Sequence, residues 1–239
     1  GAHQDDLEFM AFHGILACCR SRDKWFGGVT CTDGAGSART GDYADFTDAE
    51  MQEIRIKEQD AAALIGNYAA MIQLGYPSRA VKSASDMSLK DDLLKILTAA
   101  RPDVVYTHNP ADKNDTHIGI FAAAILAMRE MPAEDRPKTI HGCEVWRGLD
   151  WMLDTEKVAH DVSAHENLAA AINGVFDSQI AGGKRYDLAT LGRRRANATF
   201  FDSHATDDCT GIAFAMDLTP LVVDPSLDIV EYVTGFIRR

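Results

Sequence analysis

No stretch of this 239-residue chain is apolar for long enough to span a bilayer. Ala61 to Ala70 and Phe121 to Met128 are the notable apolar runs, and both fall well short of the roughly 20 residues a spanning helix needs. They read as buried helix segments. Internal repeats, low-complexity tracts and long linkers are missing too, so nothing divides residues 1–239 into separate domains. Cys-x-x-Cys pairs are lacking. The five cysteines, Cys18, Cys19, Cys31, Cys143 and Cys209, form an odd, irregularly spaced set and read as reduced structural thiols. Cys18 and Cys19 cannot both face one core from a helix, so at least one is expected at a helix side. Basic charge is scarce. With 24 Lys and Arg against 36 Asp and Glu the net charge is -12, which argues against a nucleic-acid backbone as partner. The one concentrated basic run, Arg193-Arg194-Arg195, reads as a helix surface or as a contact to an anionic substrate or a neighbouring subunit.

The apolar content of 46% suffices for a sizeable core, and strand-like and helix-like segments alternate. Leu7 to Arg20 reads as a helix, Phe26 to Cys31 as a strand, Thr32 to Gly41 as a glycine-rich loop and Asp48 to Leu74 as a long helix. A helix from Lys90 to Ala100, a strand Val104 to Thr107 and a helix from His117 follow. Lys138 to Trp146 reads as a strand, with His141 and Glu144 on opposite faces. Helices near Asp161–Asp177, Asp187–Phe201 and Leu227–Ile237 complete the expected fold, a single α/β, Rossmann-like three-layer sandwich with a mostly parallel sheet.

The chemistry-bearing residues sit in two places. Gly1-Ala2-His3-Gln4-Asp5-Asp6-Leu7-Glu8 puts an imidazole beside two adjacent carboxylates. If this run leaves a strand and enters a helix, His3 and Asp6 can converge on one cation while Asp5 points to a water. The segment from Pro102 to His117 is an apolar strand emptying into a polar loop, the place where open α/β sheets bind ligands. His117 is the natural third ligand, giving a catalytic type of site with one open position. Two histidines and one aspartate favour one Zn²⁺ per chain, although iron or manganese also suits mixed nitrogen and oxygen ligands.

Duller readings stand beside these. His-x-x-Asp at a strand end is often a helix cap, because Asp favours the first turn. Asp5 is less ambiguous, since two adjacent acids capping one helix would repel each other. Charges at helical spacing around Arg55 fit a solvated face. His13 reads as a packed or surface histidine, and His160 and His165 as exposed. Trp146 and Trp151 read as core aromatics or as stacking surfaces for a sugar.

The motifs resemble those of the PIG-L/LmbE-like N-deacetylases, zinc enzymes that remove acetyl groups from N-acetylglucosamine-type sugars. The family's Ala-His-Pro-Asp-Asp-Glu is matched by Ala2-His3-Gln4-Asp5-Asp6-Leu7-Glu8, with Gln for Pro and the acid one place later. Its His-Pro-Asp-His, often preceded by Asp-Arg, is matched by Asp112-Lys113-Asn114-Asp115-Thr116-His117. The metal-ligating last histidine is present, and Asn114 replaces the first. Thr32-Asp33-Gly34 and the Arg55-x-x-Glu58 pattern extend the resemblance, which is close over the first half and looser at Ser178-Gln179, Gly182 to Tyr186 and Arg193 to Ala198.

The resemblance implies an acetylated amino sugar or glycoconjugate as substrate, with Arg55 in contact with it, and His141, near a strand end, can border the same cleft. Asp5 is the expected base. The leaving amine takes its proton from Asp5 or from a histidine, with His108, His141 and His204 as candidates, and Asn114 can hydrogen-bond the oxyanion without acting as an acid. Alternatives are a metal-retaining sugar-binding protein with little turnover and an amidase for a different sugar amide. A homo-oligomer is plausible. A strand is expected ahead of Gly1, because the family's first motif follows one. The cysteine usage suggests a cytoplasmic protein, an expectation that a segment ahead of Gly1 would override.

Overall fold

The computed structural model describes residues 1–238. In chain order its elements are α1 (Asp6–Met10), α2 (Phe12–Cys18), β1 (Gly27–Thr32), α3 (Asp48–Ile65), β2 (Ala70–Tyr76), α4 (Ser78–Val81), α5 (Ser88–Ala100), β3 (Val104–His108), α6 (Asp115–Glu130), β4 (Thr139–Cys143), β5 (Val158–Asp161), α7 (Glu166–Gly174), α8 (Asp177–Ile180), α9 (Tyr186–Ala198), β6 (Ile212–Asp217), α10 (Thr219–Val223) and α11 (Ile229–Ile237). The chain forms two compact units, Gly1–Pro77 with Ala159–Ala213, and Ser78–Val158 with Phe214–Arg239.

In the first unit β1 and β2 pair in parallel from Gly27↔Ala70 to Thr32↔Tyr76, and α3 makes the crossover between them. A capping box starts α3: the Thr47 side chain accepts from the Glu50 N–H while the Glu50 carboxylate accepts from the Thr47 N–H. Sequence periodicity carries this helix to Leu74, but it stops at Ile65, because Asn67 adopts a left-handed backbone (φ 54) after Gly66. The apolar residues beyond it form β2. Gly1 and Ala2 run alongside β1: the Gly1 amine donates to the Val29 carbonyl, and the Cys31 and Thr32 N–H groups donate to the Gly1 and Ala2 carbonyls. The core includes Phe9, Phe12, Ile15, Met51, Ile172 and Phe176.

In the second unit β3 and β4 are parallel, from Val104↔Thr139 to His108↔Cys143, with α6 between them in sequence. Here the strand order is β3-β4-β6. β6 opposes β4 in direction, pairing Asp217 with His141 and Ala215 with Cys143. The fold is therefore mixed α/β with two sheets, and the expected mostly parallel sheet holds for β1–β2 and β3–β4 but not for β6. β5 and β6 were not anticipated from the sequence. In the first unit, Asp161 ends a strand instead of starting a helix, and α7 begins later, at Glu166, after His165 in a left-handed conformation (φ 56). The β4 strand ends at Cys143, leaving Glu144 to accept from the Leu149 N–H at 2.8 Å. Ile120, Ile125, Met128, Ile140, Met216 and Leu218 lie in the core.

All five cysteines are free, with Cys31 and Cys143 buried. Cys18 and Cys19 are both partly exposed. Among the described residues no helix is long and apolar enough to cross a membrane.

Gly119 in α6 marks a close approach: a Cβ built there would meet the Val81 carbonyl oxygen at 2.5 Å. Helix propensity alone predicts that Gly119→Ala stabilises by about 1 kcal/mol. The backbone contact reverses the sign, and we expect a loss of about 1–3 kcal/mol on denaturant unfolding. A stabilised variant would contradict this packing.

Candidate functional site

The first motif is built around a strained residue. Asp5 precedes α1 with φ 99 and ψ -28, a conformation costing a side-chain-bearing residue about 1–3 kcal/mol. Its side chain makes no capping hydrogen bond, so the capping explanation fails for this acid. Asp5 is 4% exposed, and its Oδ2 is buried without a hydrogen-bond partner, 3.9 Å from Arg55 Nη2. Burial raises the Asp5 carboxyl well above the usual range; the Arg55 guanidinium pulls it back, while Asp6, Glu8 and Glu58 push it further up. Asp6 is buried, and its Oδ2 accepts from the His3 backbone N–H at 2.7 Å and lies 3.4 Å from His3 Nδ1. One carboxylate thus fixes both backbone and imidazole of His3.

Arg55 holds this turn from α3. Its Nη2 donates to the Gln4 carbonyl at 2.7 Å, and its Nη1 donates to the Gly34 carbonyl and the Ser37 hydroxyl. Gly34 (φ +74) suits glycine on two counts, since a Cβ there would also meet Gln4 Oε1 at 2.6 Å. Gln4 stands where the family has proline. Its buried side chain donates to the Thr32 carbonyl and to Gln73 Oε1, both at 3.3 Å. One helical turn beyond Arg55, Glu58 accepts from the Ser178 N–H (2.7 Å) and hydroxyl (2.6 Å). The Arg55-x-x-Glu58 pair therefore ties the first motif to the loosely matching Ser178-Gln179 segment. Burial raises the Glu58 carboxyl, with the Ser178 hydrogen bonds opposing it.

Two further residues complete this cluster, Gln59 without a sequence signal and Tyr186 from the loosely matching Gly182 to Tyr186 segment. Gln59 accepts from the Asp5 N–H and the Thr30 hydroxyl and donates to Glu8 at 2.9 Å. Tyr186 packs edge-on against Phe9, 5.5 Å between ring centroids, and burial followed by the charges of Asp5 and Asp6 raises its phenol.

In the second unit the loop after β3 is organised by Asp112. Its Oδ1 accepts from the Asn114 N–H (2.9 Å) and Trp146 Nε1 (3.2 Å), and its Oδ2 lies 3.1 Å from His117 Nδ1. Burial alone would raise the Asp112 carboxyl, but the His117 hydrogen bond and charge, the Asn114 N–H and His108 together hold it below the ordinary range. A carboxylate against Nδ1 orients the imidazole so that Nε2 would be the ligand atom of a metal-bound His117. His117 is fully buried and stacks on two rings, His108 at 3.9 Å and Trp146 at 5.7 Å between centroids. Asp112 and Trp146 thus support His117 directly, and the reading of Trp146 as a plain core aromatic gives way. His108, Asp112 and His117 offer ligand atoms all within 4.8 Å of one another.

α6 starts two residues earlier than expected, with Asn114 as its N-cap: Asn114 Oδ1 accepts from the Thr116 N–H at 2.9 Å. This leaves its amide N–H as the group suited to an oxyanion. His141 is buried in β4 and tilts against Tyr106 at 5.0 Å. His204 is exposed, apart from these clusters. His13 and His160, expected as separate histidines, stack on each other at 4.1 Å, and His160 and His165 are partly buried instead of exposed.

Glu8 is fully buried, accepting from Tyr68 (2.6 Å) and Gln59 (2.9 Å), and burial pushes it up to about 7 from 4.5. Between those values the unfolded chain has lost a proton that the folded chain keeps, so stability falls as pH rises through that window. The full loss is roughly 3 kcal/mol at about 1.4 kcal/mol per pKa unit. Glu8→Gln, measured by denaturant unfolding of chelator-treated protein at pH 5 and 7.5, should flatten the decline by about that amount. Superimposable pH dependences of the two proteins would contradict the assignment.

The fold recurs in solved structures. A conserved protein of Thermus thermophilus is 19% identical, with a TM-score of 0.69 and coverage of 95% of this chain and 96% of that one. The 4-carboxy-2-hydroxymuconate hydratase of Pseudomonas putida is 17% identical, with a TM-score of 0.70 over 95% and 97%. The N,N'-diacetylchitobiose deacetylase of Pyrococcus horikoshii is 17% identical, with a TM-score of 0.62 over 89% and 80%. No curated protein matches the chain. The family model described as PIG-L, GlcNAc-PI de-N-acetylase, matches residues 1–128 of the 239, a span that contains both motifs, and the chain belongs to the PIG-L family.

Proposed function

We propose that this protein hydrolyses the acetamide of an N-acetylglucosamine-type sugar or glycoconjugate, with one Zn²⁺ held by His3 and Asp6 of the first motif and His117 of the second. The observation that carries the reading is Asp5, a buried carboxylate on strained backbone whose Oδ2 has no hydrogen-bond partner. The donor set suits the metal: two imidazoles and one carboxylate, with Asp112 behind His117 as the outer carboxylate typical of zinc-binding histidines. When bound, zinc acidifies water and polarises a carbonyl.

Asp5 takes the proton of the water that attacks the acetyl carbon, the role of a buried carboxylate whose Oδ2 has no hydrogen-bond partner. Arg55 holds the Asp5 turn through the Gln4 and Gly34 carbonyls, and we assign it to positioning that base as well as to the substrate side of the cleft. Asn114 offers its amide N–H to the oxyanion. As the C–N bond breaks, the amine takes a proton from Asp5 or from His108, and acetate and the free amino sugar leave. His141 is the proposed sugar contact from β4. The deacetylase named among the structural neighbours acts on an acetylated chitobiose, which supports this substrate class.

A second reading is a metal-retaining binder, favoured by one observation: Asn114, in place of the family histidine, is engaged as a helix cap. Asp5→Asn separates the two. We expect it to lower acetate release from N-acetylglucosamine derivatives by about 10²–10⁴-fold while zinc content stays unchanged. Asp112→Asn should weaken zinc binding by about 10–100-fold. Wild-type protein that holds zinc but releases no acetate from any such derivative would leave the binder reading.

A further inference from the structure

Unpaired cations gather at one edge of the first unit. Arg20, Arg22 and Lys24 follow α2 and are all exposed, and among the described residues none of them has a carboxylate at ion-pair distance. Elsewhere exposed cations such as Lys57, Lys95, Lys138 and Arg185 lie against Glu53, Asp92, Asp103 and Asp187. Of the basic triplet, Arg194 is buried and Arg195 pairs with Glu166. Asp23, the acid within the run, is bound to Ser21, whose hydroxyl donates to Asp23 Oδ1 at 2.6 Å and accepts from the Lys24 N–H at 3.1 Å. In a chain of net charge -12, this concentration of unmatched positive charge is an exception.

Apolar side chains flank these cations. Trp25 is 73% exposed, and Leu64, at the end of α3, is 83% exposed. Hydrogen bonds bring them to one edge. The Asn67 side chain donates to the Cys19 carbonyl at 3.1 Å, its N–H donates to the Leu64 carbonyl at 3.3 Å, and the Ala69 N–H donates to the Phe26 carbonyl at 2.8 Å. Exposed tryptophan beside arginine and lysine suits a bilayer surface, where the indole settles at headgroup level and the cations meet anionic lipid. A nucleic acid would use the cations but not Leu64 or its exposed neighbour Ile65. Three apolar side chains fall far short of the roughly 800 Å² per partner of a stable protein interface, whereas a bilayer takes side chains in singly. We propose that this edge docks the protein on an anionic lipid surface, with Trp25 and Leu64 entering the headgroup boundary and Arg20, Arg22 and Lys24 against the lipid phosphates. The Asp5 turn lies at the far end of β1, whose Thr32 carbonyl accepts from the Gln4 side chain, so docking leaves it uncovered. The docking does not depend on the proposed hydrolysis.

The test is co-sedimentation of the intact protein with vesicles of phosphatidylcholine alone and of an equal mixture of phosphatidylcholine and phosphatidylglycerol. Binding is expected to the anionic vesicles only, weakened by added salt, with a blue shift of the tryptophan emission. Combining Arg20→Gln, Arg22→Gln and Lys24→Gln should weaken it by about 10²-fold. Trp25→Ala should weaken it by about tenfold and remove the blue shift. Wild-type protein that stays in solution beside anionic vesicles overturns the proposal, as does a triple variant that binds them as tightly as wild type. A dimer lost in Trp25→Ala, without vesicle binding by the wild type, also overturns it and assigns the edge to a second copy of the chain.

Discussion

Acidic crowding at the start of α1 is the constraint on which the rest of the first unit depends. Asp5, Asp6 and Glu8 are all buried within one helical turn, and Glu58 acts on the same group. Like charges in a low-dielectric setting cannot all ionise without compensation. The chain answers in three ways. Glu8 is pushed toward neutrality and stabilised by Tyr68 and Gln59. Arg55 brings a buried guanidinium to Asp5. Asp6 engages the N–H and imidazole of His3. A divalent cation at His3 and Asp6 would complete this compensation, which gives the proposed metal a structural reason as well as a catalytic one.

The second unit solves a different problem, the orientation of one imidazole. Asp112 gathers the Asn114 N–H, the Trp146 indole and His117 Nδ1, and the His108 and Trp146 rings both stack on His117. The carboxylate against Nδ1 orients the ring. Such preorganisation is costly in buried polar groups and has little value for stability alone, which is why it points to ligand binding.

Much of this was legible in the sequence, for identifiable reasons. The crowded His3, Asp5 and Asp6 and the strand-loop-helix around His117 announced themselves because several chemistry-bearing residues share a short segment. Gln59 did not, since it acts through tertiary contacts that leave no local pattern, whereas Asp112 sits within the second motif and Tyr186 only in a loosely matching segment. The end of α3 was written in Gly66-Asn67, but the apolar run beyond it mimics a continuing helix, and so β2 was missed. β5 is too short for its alternation to stand out, and β6 lay beyond the part of the chain in which motifs guided the reading. Asp161 looked like a helix start because an aspartate before a helix usually caps it; here its carboxylate accepts from the Ser163 N–H and hydroxyl.

The central claim is that His3, Asp6 and His117 ligate one metal. Elemental analysis of purified wild-type protein and His117→Ala, side by side after supply of zinc, tests it most directly. The account predicts about one zinc per chain in the wild type, as in a three-ligand catalytic site, and little or none in the variant. Zinc absent from both proteins, or equal in both, would contradict it.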